Sequence, residues 1–258
     1  MSMVMYSAGG LVLGAILGSF LATLVVRWPQ SASVVSGRSR CDHCGRAVAY
    51  RDLVPILSYA ALRSKARCCG GRIDGLHPAT ELGAAVIGAV SFGLFGPLGL
   101  LTAVLGWTLL VLALLDARHL WLPDRLTGFL AVAGLIAALV SPTPSAISRM
   151  IGMVAGWAIL SLIAALYART RGRSGMGGGD PKLLGAIGAW TGWAALPLVL
   201  LAAASIGIVF ALLAKIAGRE INAATQLPLG TFLAAAAWPI WLYLQWIAET
   251  GGYSLFLP

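Results

Sequence analysis

The chain has 258 residues, of which 59% are hydrophobic and only 10% are charged. Its mean hydropathy of +0.87 excludes a water-soluble globular domain of this size and indicates a membrane protein. The formal net charge is +9, and the distribution of the basic residues along the chain decides whether this charge points to nucleic acid or to membrane topology.

Eight apolar segments meet or approach the length of about 20 residues that a helix needs to cross a bilayer. They lie at residues 5–26, 79–96, 98–115, 126–140, 151–168, 183–196, 198–217 and 227–248. The first has no basic region before its apolar run, so we expect a retained helix rather than a cleaved signal peptide. The sequence predicts an all-α polytopic membrane protein with about eight transmembrane helices.

The basic residues indicate the orientation of these helices. If the eight crossings alternate, every Lys and Arg except Arg149 falls on or at the edge of one side of the membrane. Basic residues concentrate on the cytoplasmic side of membrane proteins. The net charge is therefore explained by topology rather than by a nucleic-acid partner, and both termini are expected to face outward.

One polar insert interrupts the hydrophobic pattern, at residues 28–78. We therefore predict a first transmembrane helix at 1–27, a cytoplasmic cysteine-bearing subdomain at 28–78 and a seven-helix membrane core at 79–258. The membrane core has only short connections, and consecutive helices joined in this way are usually neighbours. The glycines Gly185, Gly188 and Gly192 predict a tightly packed interior helix.

The insert holds all four cysteines of the chain, which are Cys41, Cys44, Cys68 and Cys69. Disulfides are disfavoured in the cytosol, and four thiolates suit a structural zinc ion with tetrahedral coordination. His43 or His77 is an alternative ligand in place of one cysteine. The competing interpretation is a reduced loop that binds no metal.

Two acidic residues occupy unusual positions. Asp116 ends the apolar run LVLALL at the inner end of the third predicted crossing, and Asp180 closes GMGGGD at the inner start of the sixth. Both are thus expected at one depth, on the cytoplasmic face. Carboxylates at a membrane boundary are candidates for function, and two close together share one proton. In aspartyl proteolysis the ionised carboxylate activates water while the protonated one donates to the oxyanion.

Both aspartates also have non-catalytic explanations. Asp180 is suited to cap a helix, with Pro181 at the favoured first position. Asp116 is placed to pair with Arg118 or Arg125 at the interface.

The segments around both aspartates resemble those of the prepilin peptidases, which are GxGD-type intramembrane aspartyl proteases. GMGGGDPKLLGAIGAWTG at 175–192 is similar to the GxGD segment, and LLDARHLWLPDRLT at 114–127 is similar to the segment of the first aspartate. Further similar segments follow in the same order, namely LGSFLATLVVRWP, CDHCG, LVPILSYAALRSKARCCGGRI, HPATELGAA and LPLGTFLA. The resemblance covers nearly the whole chain.

The resemblance implies that Asp116 and Asp180 are catalytic and that Asp124 is a supporting residue. Gly177 and Gly179 lack side chains beside Asp180, which allows close approach of an extended substrate backbone; a flexible loop is the alternative.

Two further residues near the predicted site have open roles. Lys182 is expected either to stabilise a carboxylate or to anchor its helix at the interface. Glu81 is expected either to contact the site or to lie at the membrane interface.

The resemblance also implies a substrate and a location. Members of the family cut the basic leader from type IV prepilins or type II secretion pseudopilins, at the cytoplasmic face of the bacterial inner membrane and next to the substrate's hydrophobic helix. Many then methylate the new N-terminus with S-adenosylmethionine, whereas proteolysis needs no cofactor. The sequence has no nucleotide-binding fingerprint for this donor, so methylation rests on the resemblance alone.

Two positions depart from the family pattern. Ala66 stands where the first cysteine of a second CxxC pair is expected, and Cys68 lies directly beside Cys69. Ala22 stands where relatives usually carry Asn, which puts methylation in doubt.

A transporter or channel that uses intramembrane carboxylates is the main alternative function. It predicts polar groups near the bilayer midplane and inverted repeats, and the sequence shows neither.

Overall fold

The computed structural model describes residues 2–31, 33–34, 39–41, 43–172, 176–219 and 225–250. Over these residues the chain is helical apart from turns and two isolated β-bridges, which confirms the predicted all-α class. The α-helices described are α1 (Ser2–Arg27), α2 (Leu57–Ala61), α3 (Leu76–Phe95), α4 (Gly99–His119), α5 (Asp124–Ile136), α6 (Ala146–Arg171), α7 (Gly179–Thr191), α8 (Leu196–Ile216) and α9 (Leu229–Glu249).

Several helices are long and apolar enough to cross a membrane. The stretches that qualify in the described chain are Ser2–Gln30, Leu76–His119, Ala146–Arg171, Leu196–Ile216 and Leu229–Glu249, and the second contains both α3 and α4. Helices α5 and α7 have 13 residues each, which is about 20 Å of helix against a hydrocarbon core of about 30 Å. The multi-pass architecture is confirmed, and the count of eight crossings stays a prediction.

The chain divides into two compact units, Met1–Val111 and Leu112–Pro258. In the first unit α1 packs along α3 through glycines spaced four residues apart. A side chain at Gly10 or Gly14 would collide with the α3 backbone at Gly88 or Ala84. Small residues at this spacing let two helix backbones touch, which supplies van der Waals contact where lipid offers no hydrophobic driving force.

In the second unit α7 is buried from Asp180 to Thr191 apart from Lys182 and packs against α5, α6 and α9. The Trp190 indole donates a hydrogen bond to the Leu130 carbonyl at 2.8 Å, and its ring meets Trp241 edge to face at 5.3 Å. The predicted interior helix is therefore confirmed. Its short length suits a helix that packs within protein and presents little surface to lipid.

Arg149 of α6, the one basic residue outside the predicted positive side, is fully buried. Its guanidinium donates to the carbonyls of Pro144 at 2.9 Å, Gly134 at 3.0 Å and Ser141 at 3.1 Å, and it lies 5.4 Å from the Trp241 ring centroid. Arginine presents several donors in a fixed fork. Arg149 therefore ties the end of α5 and the following turn to α6.

We predict that Arg149→Met lowers the free energy of unfolding in detergent by about 3 kcal/mol or more, because each buried carbonyl left without a donor costs about 1–3 kcal/mol. The measurement is a denaturant titration followed by tryptophan fluorescence. Arg169→Met, at an exposed position of the same helix, should change stability by less than about 0.5 kcal/mol. Equal stability of the two variants would contradict this role for Arg149.

Candidate active site

Asp116 lies near the end of α4 and is only 5% exposed. Its Oδ2 accepts a hydrogen bond from the Thr231 backbone N–H at 2.7 Å and lies 3.1 Å from the Thr231 hydroxyl. That hydroxyl is also 2.9 Å from the Ala113 carbonyl, and its single hydrogen serves one acceptor at a time. The start of α9 therefore holds the Asp116 carboxylate in place.

Asp180 lies in the first turn of α7 and is 6% exposed. Burial, together with the neighbouring charge of Asp116, raises the pKa of Asp180 to about 6, and the backbone amides of Gly177 and Gly230 oppose the shift. The Gly230 amide also interacts with Asp116. The two buried carboxyl groups thus lie close enough for the charge of Asp116 to act on Asp180.

The space around the pair is limited by Leu122 and two glycines. A methyl group added at Gly230 would lie 3.0 Å from Asp116 Oδ2 and 2.8 Å from Leu122 Cδ1, and one at Gly179 would lie 2.6 Å from Leu122 Cβ. The room beside Gly179 is therefore filled by Leu122. At Gly177 an added methyl group would only touch Asp180 Oδ2, at 3.4 Å. The predicted close approach of a substrate backbone therefore fits Gly177 better than Gly179. Gly175 lies outside the described residues.

Asp124 and Lys182 form an ion pair, with Lys182 Nζ 2.7 Å from Asp124 Oδ1. Their side chains are 71% and 47% exposed, and exposed pairs contribute little to stability. Of the two roles left open for Lys182, the structure supports pairing with a carboxylate, and that carboxylate is Asp124.

Glu81 belongs to the first unit. Its buried carboxylate accepts a hydrogen bond from the Ile56 backbone N–H through Oε2 at 2.7 Å. The contact described for Glu81 is therefore with the segment that leads into α2.

The four cysteine sulfurs lie within 4.8 Å of one another. The Cys41–Cys69 and Cys44–Cys68 pairs are 3.8 Å and 3.3 Å apart. Sulfurs bound to one zinc at about 2.3 Å are about 3.8 Å apart in a tetrahedron, so the cluster fits this ion. The His43 Nε2 is occupied by the Arg72 carbonyl at 2.8 Å.

Two similar turns build this cluster. In the first, Gly45 N–H donates to the Cys41 carbonyl at 2.8 Å, and Cys41 N–H donates to the Arg46 carbonyl at 2.8 Å. The second turn has the same two bonds. Gly70 N–H donates to the Ala66 carbonyl at 2.7 Å, and Ala66 N–H donates to the Gly71 carbonyl at 2.7 Å, so Ala66 takes the place of the first cysteine. Gly45 and Gly70 both have a φ of +70°, which glycine adopts readily.

Sequence reasoning assigned no role to Gly230 or Thr231, although both lie in the quoted segment LPLGTFLA. The start of a helix leaves backbone N–H groups without intrahelical partners, and Pro228 with Gly230 marks such a start. A helix start read from the sequence identifies backbone N–H donors, but it does not identify the carboxylate to which they donate.

The second unit of this multi-pass helical protein holds two neighbouring buried carboxyl groups, and aspartic peptidases act through a pair of carboxyl groups. Residues 12–95 match the bacterial peptidase A24 N-terminal domain, and residues 103–212 match the type IV leader peptidase family. The chain belongs to the type IV leader peptidase family.

Its curated relatives are similar over most of their length. A protein of Burkholderia pseudomallei strain 1026b is 38% identical, over 90% of this chain and 83% of the relative. A protein of Dichelobacter nodosus is 37% identical over 87% of this chain and 77% of the relative. A protein of Pseudomonas aeruginosa is 31% identical over 93% of this chain and 91% of the relative. All three are named prepilin leader peptidase/N-methyltransferase. No solved structure shows a significant match.

We predict that Asp116→Asn lowers the pKa of Asp180 but leaves it above the usual value for aspartate, because the substitution removes a neighbouring charge and keeps the burial. Carbon-13 NMR of labelled aspartate carboxyl groups, titrated in detergent micelles, measures the shift. Glu249→Gln removes a carboxylate at an exposed position of the same unit and should leave this pKa unchanged. An unchanged pKa in Asp116→Asn would show that the two aspartates are not coupled.

Proposed function

We propose that this chain is a prepilin peptidase in which Asp116 and Asp180 are the catalytic carboxylates. The observation that carries the proposal is that both carboxyl groups are buried, at the end of α4 and the start of α7, and close enough for the charge of Asp116 to act on Asp180. The family membership and the names of the relatives support the same reaction and weigh against a transporter or channel.

The surroundings of the two aspartates favour different roles in peptide hydrolysis. Asp116 accepts hydrogen bonds from the start of α9, which stabilise its ionised form and suit it to take a proton from the attacking water. Asp180, whose pKa is raised to about 6, binds a proton more readily than an ordinary aspartate, and we assign it as the acid. It donates that proton to the scissile carbonyl oxygen as negative charge develops there.

The substrate follows from the family and from the charge of the chain. We infer that the chain removes a short basic leader from type IV prepilins or type II secretion pseudopilins, which it meets as membrane-anchored helices. The concentration of basic residues on one side supports a position in the bacterial inner membrane with the site toward the cytoplasm. The basic insert would repel such a leader, so we do not assign it as the leader-binding surface. Methylation of the new N-terminus by S-adenosylmethionine completes the proposal.

We predict that Asp116→Asn and Asp180→Asn each reduce cleavage of a prepilin in detergent by at least about 100-fold, because each removes one partner of the acid–base pair. The readout is loss of the leader on a gel with wild type, both variants and Glu249→Gln as a carboxylate control. Folding of every variant is checked by thermal unfolding in the same detergent. Full activity in either folded aspartate variant would exclude that residue from catalysis.

We also propose that Cys41, Cys44, Cys68 and Cys69 hold one structural zinc ion. The sulfur spacing supports it, and the second turn explains the departure at Ala66, because Cys68 supplies the sulfur that residue 66 lacks. The ion would join the two turns of the insert and take no part in proteolysis.

Zinc content after purification tests this proposal. We predict about one zinc per chain in the wild type and a large loss in Cys68→Ser. The double variant Ala66→Cys with Cys68→Ala restores a CxxC pair at 66 and 69 and should regain the metal. Full zinc in Cys68→Ser would mean that Cys68 is not a ligand. Absence of zinc from the wild type would overturn the metal site.

A further inference from the structure

The insert of the first unit carries a group of exposed apolar side chains. Four large residues between positions 50 and 57 are from 37% to 78% exposed, namely Tyr50, Leu53, Val54 and Leu57. They lie in the segment that leads into α2, and we call residues 50–57 the apolar loop. An exposed group of this kind marks contact with a membrane or with another protein. None of these residues belongs to the cysteine cluster or to the catalytic pair.

The contacts of Glu81 fix the depth of the apolar loop relative to the membrane helices. The Ile56 N–H donates to Glu81 Oε2 at 2.7 Å. Glu81 lies against α1, because a methyl group added at Gly18 would be 2.6 Å from the Glu81 Cα. From Gly18 the helix α1 continues without a charged residue to Arg27, which is about 13 Å at 1.5 Å per residue. A basic residue that ends an apolar span marks the membrane boundary. The loop is therefore bonded to α3 on the membrane side of this boundary.

The backbone of the apolar loop is paired as lipid contact requires. Pro55 has no N–H, and those of Ile56, Leu57 and Ser58 donate to Glu81, to the Pro55 carbonyl and to the Val54 carbonyl respectively. Lipid offers no partner to a free backbone group. Ile56 has a φ of +61°, which a β-branched residue adopts only under constraint from its surroundings. The buried carboxylate of Glu81 thus secures a turn whose consecutive N–H groups are satisfied within the protein.

We propose that the apolar loop is inserted into the interfacial region of the bilayer, and that Glu81 holds it there. The partner is the boundary between phospholipid headgroups and acyl chains, into which amphipathic segments bury their apolar side by about 5–10 Å. The lipid-facing surface of α3 extends to this level, since Leu82, next to Glu81, is exposed.

The charge within the loop sets the depth of insertion. Arg51 is exposed between Tyr50 and Leu53, and a long basic side chain beside apolar ones reaches out to the lipid phosphates. This arrangement fits the interface and not the hydrocarbon core. The insert is thereby attached to the membrane by its own surface as well as by α1 and α3, whatever reaction the second unit performs.

Depth-dependent fluorescence quenching of the full chain in lipid nanodiscs tests this proposal. A fluorescent amino acid is introduced by amber suppression in place of Leu57, of Ile16 in the middle of α1, or of Arg46 in the first cysteine turn, which are all exposed. The nanodiscs contain phosphatidylcholine that carries a nitroxide either near the headgroup or near the end of the acyl chain. The nitroxide near the headgroup should quench the label at Leu57 at least about twofold more than the label at Arg46, because interfacial segments lie at that depth. The label at Ile16 should be quenched more by the nitroxide near the chain end.

Two variants of Glu81 test what holds the loop in place. With the label at Leu57, Glu81→Ala should lose at least about half of the quenching by the headgroup nitroxide, because the Ile56 N–H has then lost its acceptor. Glu81→Gln keeps a side-chain oxygen that accepts from Ile56 and should be quenched as wild type is. Thermal unfolding in the same nanodiscs shows that each variant is folded.

Three outcomes would count against the proposal. Equal quenching at Leu57 and Arg46 in the wild type would overturn the membrane contact. So would a label at Leu57 that neither nitroxide quenches but whose emission changes when a prepilin is added, since the loop would then be a substrate surface. Unchanged quenching in folded Glu81→Ala would show that Glu81 does not hold the loop. Prepilin cleavage enters none of these readouts, so failure of the peptidase proposal would leave the membrane contact standing.

Discussion

The position of the candidate catalytic carboxylate Asp116 depends on a backbone N–H group at the start of α9. Helix α9 begins at Leu229, so the amides of Gly230 and Thr231 lie in its first turn, where N–H groups have no partner within the helix. The Thr231 amide donates to Asp116 at 2.7 Å, and the Gly230 amide favours the ionised form of both aspartates. The partial positive charge of the helix start favours negative charge nearby. Backbone donors at the start of α9 thus stabilise negative charge on the carboxyl pair without an additional charged residue.

The proposed mechanism requires the pair to share one proton. Lys182, two residues from Asp180, is engaged with Asp124 at 2.7 Å. Backbone dipoles stabilise one carboxylate, but they do not supply the full positive charge that would let two buried carboxylates ionise together. We therefore expect Asp116 and Asp180 to share one proton, which is the state that the proposed hydrolysis requires.

The sequence was sufficient for the features that side-chain type and periodicity encode. Apolar segments predicted the helical membrane architecture, Gly185 and Gly188 predicted an interior helix, and the aspartates were found by their positions at the ends of apolar runs. The amides of Gly230 and Thr231 were missed because a backbone donor has no side-chain signature. Arg149 was treated as an exception to the charge pattern, and only tertiary structure shows the carbonyls that surround it.

The cysteine cluster shows how a departure from a spacing rule is accommodated in three dimensions. A metal ion constrains the positions of the sulfur atoms, not the order of the residues that carry them. The second turn keeps the backbone hydrogen bonds of the first although Ala66 replaces its leading cysteine. Cys68 lies within that turn and brings its sulfur to 3.3 Å from Cys44. The adjacent cysteines Cys68 and Cys69, which depart from the CxxC spacing of the family, thus both bring their sulfur atoms within 4.8 Å of the other two.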